Sequence, residues 1–255
     1  ERLNQQRAVI ARQGLDAAQP RYTDAELAEM AERAESEGLG DRFILRLTER
    51  KHAGDSDTLG PVNDGKGKYW TAPLKTVDPG DTDPRALAKL LGKEYDPNAD
   101  YSVAVVDLKK SNLRDEANTF VPTFKNMADF AKKELSDYDA NRIDEVMTSD
   151  YAGRYTELRQ TMGGKGYDVN DSEQVSRFAR KYSDSAAEKE RFKARAAIER
   201  KLGANDRFLG DGRTEYLGEG QEAGALETYT FDRKPRTYNE LNGVKRLYAE
   251  PVTGD

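Results

Sequence analysis

The sequence predicts an α+β fold: a small split β-sheet with N-terminal helices and a large helical insertion. Three observations carry this. Two short runs rich in β-branched and bulky apolar residues, RFILRLT at 42–48 and YSVAVVDL at 101–108, read as strands in the first half. The middle of the chain carries apolar residues at helical spacing instead. Alternation then returns in LETYTF at 226–231, so a sheet begun before the helical block is finished after it.

The elements follow in order. A helix is expected near residues 2–13, stopped by Gly14. A second is opened by Thr23-Asp24-Ala25-Glu26, a capping box in which the Thr23 hydroxyl and the Glu26 carboxylate each satisfy a free backbone amide. Leu27, Met30, Ala31 and Ala34 share its inner face. Residues 42–48 form the first strand. Asn63-Asp64-Gly65 and Gly67 supply turn chemistry, and Lys68-Tyr69-Trp70-Thr71 is a short strand that Pro73 confines to an edge or an end. Asp83-Pro84 opens a helix whose buried face is Leu87, Leu90 and Leu91, closed by Gly92. Residues 101–108 are the second long strand.

From Pro122 onward, Phe124, Met127, Phe130 and Ala131 repeat at helical spacing. Further helix is expected over 143–147 and 151–162, interrupted by Gly163, Gly164 and Gly166. Asn170 or Asp171 caps the next helix, with Val175, Phe178 and Ala179 inward. Ser185-Ala186-Ala187-Glu188 is another capping box; its helix runs to Leu202, with Ala187, Ala194, Ile198 and Leu202 on one face. Residues 207–209, 215–217, 226–231 and 244–248 read as β-like. The resulting division is residues 1–40 N-terminal helical, 41–118 the first β-containing half, 119–203 the helical block and 204–255 the second β-containing half.

Composition excludes several function classes. The chain has 255 residues, 35% charged and 36% hydrophobic, with a net charge of -6. That is one large domain or two small ones with a thin core. Basic and acidic residues are interspersed, which disfavours nucleic acid as a partner. With no cysteine there are no disulfides, thiolate zinc sites or cysteine nucleophiles. The one histidine, His52, rules out His-His metal motifs, and no partner for a catalytic triad is identifiable near it. No apolar run approaches the ~18 residues of a membrane span, and no signal peptide is visible. The start at Glu1 and the polar end lead us to expect a segment of a longer polypeptide.

The candidate residues have competing readings. Tyr69 and Trp70 are either ring-stacking residues beside a glycine loop or anchors of a core. Arg46 in mid-strand is placed to clamp a phosphate or carboxylate with its planar fork, or to lie along an exposed face. Ile44 shares its alternation, so that face is expected to be covered too. Asp137-Tyr138-Asp139-Ala140-Asn141 has the start of a calcium loop, but Arg142 replaces the turn glycine and Thr148 the final glutamate, so no metal is expected. Gly163-Gly164-Lys165-Gly166 lacks the spacing of a phosphate loop. Gly218-Glu219-Gly220-Gln221-Glu222-Ala223-Gly224 leads into Glu227. It is either a turn or a close-approach loop whose glutamates, Glu222 and Glu227, stabilise a developing cation.

Taken in order, RFILRL, GKGKYWTAP, a short leucine helix, the strand after Tyr101 and the late Gln-Glu segment resemble bacterial toxin domains of the ADP-ribosyltransferase type and their NAD-glycohydrolase relatives. The resemblance covers about residues 42–108 and 217–231. It implies that NAD is the substrate, that Arg46 contacts its phosphate or ribose, and that Tyr69, Trp70 and Thr71 line the nicotinamide pocket. It also implies that Gln221, Glu222 or Glu227 acts near the ribose bond. The Glu-x-Glu pair usual in such domains is absent. The resemblance implies an NAD-consuming transferase or glycohydrolase carried on a larger secreted or mobile-element polypeptide and delivered into a host cytoplasm. The alternative is a non-enzymatic module of a large assembly, such as a virion or secretion apparatus, with a protein target or assembly partner.

Overall fold

A computed structural model describes residues 43–49, 68–73, 84–108, 110–111, 113, 118–205, 208–219, 224–225, 227–231 and 240–249. The expected N-terminal helices, His52, Gln221 and Glu222 lie outside these residues. The chain divides into two compact units. One joins the part up to Phe120 with the part from Arg213 onward; the other is Val121–Gly212.

The first unit is built on a six-stranded antiparallel sheet. Its strands are β1 (Phe43–Glu49), β2 (Lys68–Pro73), β3 (Tyr101–Asp107), β4 (Asn118–Phe120), β5 (Thr228–Phe231) and β6 (Val244–Ala249), in the order β4-β5-β2-β1-β3-β6. The sheet is split. β1 pairs with β3 from Phe43↔Asp107 to Glu49↔Tyr101, and β3 pairs with β6. β2 pairs with β5 from Lys68↔Phe231 to Thr71↔Thr228, and β5 with β4. Among the described residues only Ile44↔Pro73 and Leu45↔Ala72 join the two halves. Pro73 stands at the end of its strand, as its missing amide requires.

Both faces of β1 and β3 are covered, which is why these strands are nearly continuous in apolar residues. On one face Leu45, Leu47, Tyr101, Val103 and Val105 pack with Leu87 and Ala88 of α1 (Pro84–Leu90). On the other, Ile44, Ala104 and Val106 pack with Leu108, Leu113 and Leu241. Each such side chain contributes about 1.5–3 kcal/mol through burial. Gly92 closes α1 with φ +67°, where an L side chain is strained. β4 escapes sequence reading: three residues, NTF, carry no period.

The second unit is helical: α2 (Phe124–Glu134), α3 (Ala140–Val146), α4 (Ser149–Gly164), α5 (Ser172–Tyr182) and α6 (Ala186–Leu202). Local cap chemistry sets its boundaries. Thr123, Asp139, Thr148, Asp171 and Ser185 each accept a backbone amide from the first turn of the following helix. Asp171, one of the two caps anticipated, fills that role. α6 is surrounded, with Phe192, Ala194, Ala196, Ala197, Ile198 and Leu202 buried. Ala187, expected on the inner face, is exposed. The two ends of this unit meet: Thr123 bridges Asp211, and the Phe124 amide donates to the Gly210 carbonyl at 2.9 Å.

Two expectations are corrected. α4 runs through Gly163 and Gly164, and the break comes at Gly166 with φ +74°. Two helical glycines each cost about 1 kcal/mol, which the buried face of Tyr151, Tyr155, Leu158 and Met162 outweighs. The residues described within 207–209 and 215–217 form no strand. Gly210 and Gly212, at φ +71° and +77°, break extension there, and the Leu217 amide turns instead to the Lys89 carbonyl at 3.0 Å.

Candidate functional site

The strand order sets the geometry. β2 lies between β1 and β5, so the Arg46 strand, the Trp70 strand and the strand after Glu227 are immediate neighbours. Arg46 is half-buried in mid-β1, opposite Ala104. Its face is covered, as the alternation of Ile44 leads one to expect: Ile44 is 1% exposed.

Tyr69, Trp70 and Thr71 lie opposite Thr230, Tyr229 and Thr228 of β5. β1–β2 pairing ends at Leu45↔Ala72, so Arg46 and Thr71 are the next positions where the two strands part. Glu227 is half-buried and directly precedes Thr228, the partner of Thr71. Positions 46, 71 and 228 thus register across three adjacent strands, and Glu227 stands one residue beyond that level. Positions 69 and 70 lie further along β2.

Two residues that sequence reasoning missed also belong here. Lys93, just past α1, donates from its ammonium to the Leu47 carbonyl of β1 at 2.5 Å. This fixes a second cation one residue beyond Arg46. Thr214, 7% exposed, ties the chain before β5 to the end of α1. Its hydroxyl donates to the Leu90 carbonyl and accepts from the Ala225 amide at 2.9 Å. Its own amide donates to the Ala225 carbonyl at 2.9 Å. Arg213 reaches the Gly224 carbonyl at 3.0 Å. Nothing local in GDGRTEY marks this role, because its partners are remote in sequence.

The helical unit has a polar cluster of its own. Arg154 on α4 contacts Glu188 of α6 at 2.6 Å, Asp184 at 2.6 Å and Glu157 at 2.9 Å. The Arg154 hydrogen bond pulls the Glu188 carboxyl from near 4.5 to about 2. Glu188 does not complete the expected box with Ser185; it accepts the Asp184 amide at 2.8 Å instead. Deeper in, Tyr155 donates to Glu199, which also holds Arg159 at 3.1 Å, and the Arg195 guanidinium lies 4.3 Å from the Tyr155 ring centre. Burial pushes the Tyr155 phenol well above its ordinary range. These pairs join helices. Asp139 in the calcium-like stretch caps α3 through the Asn141 and Arg142 amides, and among the described residues no three His, Cys, Asp or Glu side chains are grouped to hold a metal ion. No described helix is long and apolar enough to cross a membrane.

No protein-family model, curated protein or solved structure matches the chain.

Proposed function

We propose that this chain is an NAD-consuming domain, moving ADP-ribose from nicotinamide to an acceptor or to water, and carried on a larger polypeptide. Arg46 holds the NAD phosphates with its planar fork, and Lys93 adds charge beside it. Thr71 and the neighbouring β2 positions line the nicotinamide end. Glu227, with Gln221 and Glu222 shortly before it in sequence, serves the ribose. The bond between C1′ and the nicotinamide nitrogen breaks, and its electron pair leaves with nicotinamide. A glutamate carboxylate stabilises the ribosyl cation. The acceptor attacks C1′ and releases its proton to solvent.

The observation that supports this reading is the strand order β5-β2-β1, which makes three segments remote in sequence neighbours in the sheet. The test is to incubate the chain with NAD and measure free nicotinamide. Wild type is expected to release it. Arg46→Ala and Glu227→Gln should each lower kcat/KM by roughly 10²-fold or more, with unchanged melting curves. Equal release by all three proteins would sink the assignment.

A second reading is a non-enzymatic module of an assembly such as a virion or secretion apparatus. The compact helical unit with its own core favours it. Absence of nicotinamide release with water and with protein acceptors alike would move the weight there.

A further inference from the structure

We infer that Thr214 is the positioning residue for Glu227, acting through Ala225; this rests on the NAD reading above. The Thr214 hydroxyl is spent in both directions: it donates to the Leu90 carbonyl at the end of α1 and accepts the Ala225 amide at 2.9 Å. The reciprocal bond from the Thr214 amide to the Ala225 carbonyl, also 2.9 Å, closes a two-way pair. The Ala225 amide also points to the Leu90 carbonyl at 3.4 Å. One side chain thereby fixes Ala225 against a helix end that is itself packed on β1 through Leu87.

Ala225 is 2% exposed and stands two residues before Glu227. With so short a reach, the Glu227 backbone inherits the position of Ala225. The fit leaves no slack: a Cβ added at Gly224 would lie 1.9 Å from the Thr214 carbonyl oxygen, so only glycine lets the two chains come this close. β5 is fixed on its far side by Thr228, Tyr229, Thr230 and Phe231, all buried. The clip therefore controls the end of Glu227's segment that the sheet does not.

The experiment compares wild type, Thr214→Val and Thr214→Ser in nicotinamide release from NAD, with amide exchange at Ala225 as a readout that needs no activity. Valine keeps the branched shape and loses the hydroxyl; serine keeps the hydroxyl. We expect Thr214→Val to lower kcat by roughly 10–10²-fold with KM within about threefold, while the Ala225 amide exchanges faster. Thr214→Ser should restore both. If Thr214→Val does not fold, Thr214→Ala removes the hydroxyl with no added bulk, and the same loss of kcat with faster exchange at Ala225 is expected. Faster exchange at Ala225 with wild-type kcat overturns the positioning role while leaving the NAD reading intact. Unchanged exchange in Thr214→Val overturns the clip itself. Wild type that releases no nicotinamide removes the NAD reading and this role with it.

Discussion

Tyr151 carries its phenol into the helical core, 6% exposed, and its oxygen makes no hydrogen bond among the described residues. A buried hydroxyl without a partner is a net cost of about 1–3 kcal/mol. Burial also pushes its titration up to about 12, so the neutral form is the folded form. That preference supports folding fully below the ordinary value near 10 and is lost as pH rises from about 10 towards 12. Tyr151→Phe is therefore expected to leave stability at pH 7 unchanged or raise it by about 1 kcal/mol, and to reduce the alkaline loss. Urea titrations at pH 7 and pH 11 check both; a clear loss at pH 7 would reveal a partner for the hydroxyl. Residue-scale legibility follows the range of the interaction. The Asp171 and Ser185 caps were readable because a cap bonds within three residues of itself. Thr214 was not, because its hydroxyl meets Leu90 and Ala225.

Between elements, Arg154 ties α4 to α6 through Glu188. Glu188 is held low, at about 2, so the tie is complete above its ordinary value near 4.5 and is lost as pH falls through about 2. Arg154→Ala should cost about 0.5–1 kcal/mol at pH 7. That gap between variant and wild type should narrow as pH falls from about 4.5 towards about 2, because the unfolded chain takes up the proton first. Chemical denaturation at stepped pH measures it, and a gap constant down to pH 2 counts against the tie. Strands were legible where both faces are apolar, as in β1 and β3, and illegible where pairing alone makes them, as in β4. Residues 215–217 look strand-like but are held by a helix end, an arrangement that no local period encodes.

At the scale of the whole molecule, the sequence shows helices between two β-containing stretches, and the sheet is assembled from both stretches. Which strands become neighbours was not legible, since register depends on contacts across the intervening helical residues. That neighbour order is what brings the Arg46, Thr71 and Thr228 positions side by side. The helical unit has its own core, with Phe178 and Phe192 at 0% exposure and their rings 5.2 Å apart, and Tyr155 5.7 Å from Phe192. A fragment of residues 121–212 is therefore expected to fold alone, with a helical circular dichroism spectrum and one cooperative melt. A featureless, non-cooperative melt would show that its core is insufficient.

The Thr123–Asp211 bridge gives that segment a single doorway. A stretch of chain that comes in and goes out side by side can be lengthened, shortened or replaced in descendants without re-threading the strands on either side.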